Sequence, residues 1–199
     1  MIRLLVASRN RKKLAELRRV LDAAGLAFEL VSLSDVPPFA EAPETGATFE
    51  DNALAKARDA FAATGLPAVA DDSGLEVDAL NGMPGVLSAR WGGLHGDDAA
   101  NNALLLAQLS DVPAERRGAA FVSACALASD AGEVVVRGRW PGRIASEPRG
   151  NGGFGYDPVF VPEELECSAA ELSPAEKDAR SHRGRALAQL VPALRALAG

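Results

Sequence analysis

The chain has 199 residues, 48% of them apolar and 24% charged, with a net charge of −6. Those values fit one globular domain, or two small lobes on a shared core, and exclude disordered and fibrous classes. No apolar run is long enough to cross a bilayer as a helix, and the acidic balance argues against a broad nucleic-acid footprint.

The N-terminal segment MIRLLVASRNRKK puts its apolar run before its charges, the reverse of a secretory signal, so a cytoplasmic protein is expected. Two cysteines, Cys125 and Cys167, make neither a disulfide framework nor a zinc cluster. The basic residues are nearly all Arg, which weakens Arg content as a sign of nucleotide binding. Lys stands only at 12, 13, 56 and 177, where a compact point charge is hinted at.

In chain order, Ile2 to Ala7 reads as a buried strand, and residues 12–25 as a helix with Leu14, Leu17, Val20 and Leu21 on one face and Gly25 at its end. FELVSL is a second strand, and residues 34–46 are a polar, Pro-rich loop with acidic residues. Residues 48–65 form a helix with Thr48 as N-cap and Asp51 in the capping-box position. PAVADDSGLEVDAL reads as strand, tight turn, strand. NGMPGVLSARWGG reads as a loop, and DDAANNALLLAQL as a helix capped by Asp97 or Asp98. GAAFVSACALAS and GEVVVRGRWPGRI form a strand pair. A Gly-rich loop, EPRGNGGFGYDPVFVP, runs into a strand, and the C-terminus is helical with a break near Ser181–Gly184. Mixed elements without strict βαβ alternation predict an α/β fold with a mixed sheet.

Five segments carry candidate chemistry. The turn Ser8-Arg9-Asn10-Arg11-Lys12-Lys13 joins a strand end to a helix start, where free N–H groups and cations suit phosphate, although the P-loop glycines are missing. A solvated basic turn capped by Ser8 or Asn10 is the plainer reading. Asp71-Asp72-Ser73-Gly74 offers a general base or hard oxygen ligands for Mg²⁺, or simply an Asx-type turn. Adjacent strand residues face opposite ways, so at most one of the two carboxylates meets a given cleft unless the strand has ended. Glu41 and Glu44 are surface acids, or a metal site if placed near Asp72. In GGFGYDP, Phe154 and Tyr156 supply a stacking platform between glycines, or lead into the core. Lys177 with Ser181-His182-Arg183-Gly184 supplies base-edge donors, or helix-surface charge.

Together, ASRNRKKLAEL, ETGATFEDNALAKA, ADDSGLEVDALNGMPGVLSAR, GGFGYDPVF and AELSPAEKDARSHRGRAL resemble the non-standard purine nucleoside triphosphate pyrophosphatases, the dITP/XTP pyrophosphatase (inosine triphosphatase) family, over nearly the whole chain. Ser8 stands where many members carry Thr, and Arg9 and Arg11 are bulkier than the small residues often found in that turn. The resemblance implies a single domain over 1–199 with an elongated, two-lobed mixed sheet flanked by helices and a central cleft. It also implies a homodimer, and Mg²⁺-dependent hydrolysis of ITP, dITP and XTP to monophosphate and pyrophosphate. No nucleic-acid or membrane partner is expected.

By the same resemblance Ser8, Asn10 and Lys13 hold the triphosphate, and Lys56 adds a point charge. Asp72 is the catalytic carboxylate and a metal ligand, and Glu44 is the second ligand with Glu41 as alternate. Asp71 is a further ligand or structural, and Ser73 lies near phosphate or sugar. Phe154 stacks on the purine within the loop that carries Gly155 and Tyr156, while Asp157 and His182 border the base. Arg183, with Lys177, donates to the 6-oxo group, which would leave that donor unpaired against adenine. Exclusion of GTP would have to come from its 2-amino group. A related all-α or Maf-like nucleotide pyrophosphatase acting on pyrimidines or modified bases, a non-catalytic purine-nucleotide sensor and an RNA-binding module are the competing readings, and Arg183 with the GGFGYD loop opposes the first. The intact Asp72 and acidic loop oppose the sensor, and the short basic cluster opposes the RNA module.

Overall fold

A computed structural model of the chain describes residues 1–41 and 43–199, Asp178 by its backbone alone. Of the expected loop 34–46, Ala42 therefore lies outside the described residues. The strands are β1 (Ile2–Val6), β2 (Phe28–Ser32), β3 (Ala68–Val77), β4 (Gly118–Ser129), β5 (Gly132–Ile144) and β6 (Phe160–Pro162). They form one sheet in the order β2-β1-β3-β4-β5-β6. β1 pairs in parallel with β2 and β3, and β5 pairs antiparallel with β6, so the sheet is mixed, as expected. The helices are α1 (Arg11–Ala23), α2 (Phe49–Thr64), α3 (Asp98–Gln108), α4 (Pro174–Arg180) and α5 (His182–Ala198). None of the described helices is long and apolar enough to cross a membrane.

The chain divides into two compact units. The first holds residues 1–72, 123–138 and 183–199, the second residues 73–122 and 139–182. In the first unit, strand alternation sorts the core. Leu4, Val6 and Val69 pack with Leu17 and Leu21 of α1 and with Leu187, Leu190 and Leu194 of α5. Leu5 and Ala68 face the other way, onto Ala60 of α2. With both faces covered, β1 has no polar alternation to show, which is why it reads as a plain apolar run. In the second unit, Leu75 and Val77 of β3 pack with Leu105 and Leu109 of α3, Phe121, Trp140 and Phe160. The Phe121 and Phe160 rings lie 4.5 Å apart in a tilted pair. Arg117 fastens the end of α3 by donating to the carbonyls of Leu109, Val112 and Ala145.

The structure corrects several expectations. DDSG is not a turn: β3 runs unbroken from Ala68 to Val77. An Asx turn competes with the ladder, and here β3 runs on beside β4 past the two residues, Ala68 and Val69, that pair with β1. FELVSL stops at Ser32, because Ser32 and Asp35 cap each other around a 3-10 turn. The loop after Asn81 contains a 3-10 segment at Gly85–Arg90. β1 ends at Val6, and Gly25 lies one residue beyond the α1 C-cap, Ala24. Asn10 caps α1, its Oδ1 accepting from Lys12 N at 2.9 Å, and Asp97 caps α3. Thr48 accepts from Asp51 N at 3.1 Å as the α2 cap. The C-terminal break falls at Ser181, which is extended between α4 and α5.

Gly142 of β5 marks a close backbone approach in the sheet. A Cβ there would lie 2.4 Å from the Val161 carbonyl and 2.6 Å from the Phe160 ring. Backbone cannot yield as a side chain can, so Gly142→Ala is expected to destabilise the fold by about 1–3 kcal/mol, read as a fall in the urea midpoint.

Candidate active site

In the first unit the site is built on the end of β1, the start of α1 and the middle of β3. Unbroken β3 sends Asp71 and Asp72 to opposite faces. On one face Asp71 Oδ2 meets Lys13 Nζ at 2.7 Å and Arg183 Nε at 3.1 Å. Arg183, itself buried, also gives Nη1 to Glu16 Oε2 at 3.0 Å. Burial raises the Asp71 carboxyl pKa, but Lys13 and Arg183 outweigh it and hold the group well below the usual carboxylate range. Arg183, assigned to the purine by resemblance, thus has these two nitrogens on carboxylates of its own unit.

On the other face Asp72 Oδ2 accepts from Asn52 Nδ2 at 3.0 Å and Oδ1 from Lys56 Nζ at 3.1 Å. Lys56 also reaches Glu44 Oε1 at 2.5 Å. Burial depresses the Lys56 ammonium, yet Asp72 and Glu44 reverse that and raise its pKa, so it is held charged. Asn52 uses its Oδ1 to accept from Gly46 N at 2.8 Å, which links the end of the acidic loop through α2 to β3. Ser8, Arg9, Lys13, Glu44, Lys56 and Asp71 line a cavity of about 230 Å³. Ser8 Oγ accepts from Asn10 N at 3.1 Å, so the turn is ordered by its own side chains. Glu41 is on Arg9 rather than beside Asp72, with bonds of 3.2 and 2.5 Å to the guanidinium.

The donor set around Lys56 suits a hard cation. Two carboxylates, Asp72 and Glu44, converge on one point charge, and Mg²⁺ needs no more than one or two carboxylates besides water and phosphate oxygens. Among the described residues there is no group of three or more His, Cys, Asp or Glu placed to hold a metal without such help.

In the second unit, Asp157 organises the glycine-rich loop. Its buried carboxylate accepts from Phe154 N at 2.8 Å and from Lys177 Nζ. Gly153 has φ +72, and a Cβ there would fall 2.0 Å from Asp157 Oδ2, so only glycine allows this contact. The Phe154 ring is 48% exposed, with Lys177 Nζ 4.7 Å from its centre. Gly155 is clamped by the first turn of α3: its N–H donates to Asp98 Oδ2 at 2.6 Å and its carbonyl accepts from Asn102 Nδ2 at 2.8 Å. Tyr156 is buried and donates its hydroxyl to the Ser88 carbonyl at 2.9 Å, and burial raises its pKa. It holds the loop down rather than presenting a ring. His182 stacks on Phe121, ring centres 5.0 Å apart. Ser73 lies half-buried in β3.

Sequence reasoning missed Asn52, Glu16, Asp98 and Asn102. Helical spacing was the available signal: Asn52 is four residues before Lys56, Glu16 is three after Lys13, and Asp98 and Asn102 are four apart.

The first unit thus carries a cavity lined by Arg9, Lys13 and Lys56, donors suited to phosphate oxygens. The Ham1 family model matches residues 4–193, and the chain belongs to that family. It is 80% identical to a dITP/XTP pyrophosphatase of Mycolicibacterium paratuberculosis over 98% of this chain and 97% of that protein. It is 79% identical to a dITP/XTP pyrophosphatase of Mycobacterium tuberculosis over the same shares. Among solved structures, the nucleoside-triphosphatase/dITP/XTP pyrophosphatase of Mycobacterium abscessus shares 70% identity at a TM-score of 0.83, covering 98% of this chain and all of that one. A HAM1 protein from Coxiella burnetii shares 43% at a TM-score of 0.88, with the same coverage.

Asp71 supplies a pH test. Its native pKa lies below the unfolded value of about 3.9, so its stabilisation is complete above that value and is lost as pH falls toward the native pKa. Asp71→Asn leaves Lys13 and Arg183 uncompensated and is expected to cost about 3–5 kcal/mol at pH 7. In urea unfolding the gap from the wild type should hold between about pH 7 and 5 and narrow below about pH 4. A gap that widens in acid would contradict the assignment.

Proposed function

We propose that this chain hydrolyses deaminated purine nucleoside triphosphates, ITP, dITP and XTP, to the monophosphate and pyrophosphate, which removes miscoding nucleotides from the pool. The names of relatives 79–80% identical over almost the full chain support the reaction and the substrate class. The observation that carries the reading is Asp72, held from both oxygens by Asn52 and Lys56 on the strand whose preceding residue, Asp71, lines the cation-bearing cavity.

Lys13, Lys56, Ser8 and the Asn10-capped start of α1 bind the triphosphate, where free N–H groups and the helix dipole add to the lysine charges. Asp72 takes the proton of a water that adds to the α-phosphorus while the bond to the β-phosphate oxygen breaks and pyrophosphate leaves. Asn52 and Lys56 keep the Asp72 carboxylate oriented for that transfer. Asp72 and Glu44 would hold Mg²⁺, which supplies charge neutralisation on phosphate oxygens and a more acidic bound water. Phe154 stacks on the purine, and Lys177 donates toward the 6-oxo acceptor while Asp157 fixes its position. Arg183 supports the reaction by holding Asp71 and, through it, Lys13, with His182 and Ser73 bordering the nucleotide. Adenine offers an amino group where the purine donors want an acceptor, a mismatch of about 1–3 kcal/mol for each buried group. The reading includes a homodimer in the cytoplasm acting on free nucleotides, with no nucleic-acid or membrane partner.

The test is pyrophosphate release from ITP, dITP, XTP, GTP, ATP and dUTP with Mg²⁺. The three deaminated purines should exceed the others, and Asp72→Asn should lower kcat on them by about 10²-fold or more. Equal rates on ATP and GTP would refute the specificity, and an active Asp72→Asn would refute the role of the carboxylate.

A further inference from the structure

The phosphate-binding turn of this chain carries an arginine where the family resemblance leads one to expect a small residue, and that arginine lines the cavity. The described cations on the cavity wall are Arg9, Lys13 and Lys56, and each already sits on a carboxylate: Arg9 on Glu41, Lys13 on Asp71, and Lys56 on Asp72 and Glu44. A polyphosphate can meet Lys13 and Lys56 through their remaining ammonium N–H groups, whereas the Arg9 fork is taken up by Glu41. The pairs differ in how easily they part. The Lys13 and Asp71 side chains are only 21% and 10% exposed, and Lys56 and Asp72 are 21% and 12% exposed. Breaking either leaves a poorly solvated charge behind. The Arg9 and Glu41 side chains are 69% and 42% exposed, so water solvates Glu41 once it is released, and such a pair contributes little on its own.

Arg9 also has the right geometry. It holds Glu41 with two parallel bonds, from Nη1 at 3.2 Å and Nη2 at 2.5 Å. The same planar fork fits two oxygens of a phosphate. We propose that Arg9 is a further substrate-binding residue of the pyrophosphatase reaction, and that the outer phosphates of the triphosphate displace Glu41 from its guanidinium. The inference rests on the triphosphate reading above. In this arrangement Glu41 competes with substrate, so the two partners act in opposite directions. A strut between the basic turn and the acidic loop would instead make both partners favourable.

The test measures binding of inorganic tripolyphosphate by calorimetry together with KM and kcat for dITP. Arg9→Ala is expected to raise the tripolyphosphate Kd and the KM about tenfold, the loss of a charge-assisted contact, with kcat nearly unchanged. Arg9→Lys should recover part of the loss. Glu41→Gln should lower Kd and KM about threefold by freeing the guanidinium. Weaker binding in both Arg9→Ala and Glu41→Gln, an unchanged Kd in Arg9→Ala, or no tripolyphosphate binding by the wild-type protein would each overturn the proposal. A wild type that binds tripolyphosphate but leaves dITP intact would overturn the pyrophosphatase reading alone, and the comparison of Kd values would still decide the role of Arg9.

Discussion

The unbroken run of β3 through Asp71 and Asp72 is the constraint on which the first unit turns. A pleated strand sends neighbours to opposite faces, so two adjacent carboxylates enter two different environments. Asp71 meets Lys13 and Arg183 on the side of α1 and α5, and Asp72 meets Asn52 and Lys56 of α2. The Asp71 contacts bind α1 and α5 to the strand by charge, below a core of leucines that binds them by burial. The Asp72 contacts hold that carboxylate by both of its oxygens.

The second unit reaches rigidity by another route. Its loop has no ladder to hold it, so backbone and side-chain hydrogen bonds take over. Asp157 accepts from the Phe154 amide and from Lys177, Asp98 and Asn102 grip Gly155 from both sides, and Tyr156 is anchored to Ser88. Each glycine-flanked residue thus has a fixed position, and the exposed Phe154 ring is presented by a frame that cannot easily relax. A stacking surface is useful to a flat ligand only when it is held still, because ordering it on binding would cost affinity.

Lysine placement fits the same picture. In an arginine-rich chain, Lys13, Lys56 and Lys177 each direct a compact ammonium at a carboxylate, respectively Asp71, Asp72 with Glu44, and Asp157. A guanidinium at those points would spread its charge over a plane and need more room. Arg9 and Arg183 occupy the complementary positions, where two acceptor oxygens are to be bridged. Cys125 is fully buried, and burial, with Asp71 nearby, pushes its thiol pKa up to about 12, which favours the protonated form.

Much was legible in the residues. Period-3.6 leucines marked α1, caps marked α1, α2 and α3, apolar runs marked β1, β4 and β5, and five motifs in order marked the family, because local pattern and spacing are properties of the chain itself. The DDSG segment reads as a turn because an Asx turn and a strand are equally open to those residues in isolation, and only the sheet, with β4 beside β3, selects the strand. Pairing partners were hidden for the same reason. Nothing in the neighbourhood of Arg183 announces Asp71, 112 residues away, or Glu16, 167 residues away. The sequence determined which chemical groups are present and which elements carry them. The tertiary structure decided which carboxylate each cation meets and how deeply each pair is buried, and burial is what separates a fixed ion pair from an exchangeable one.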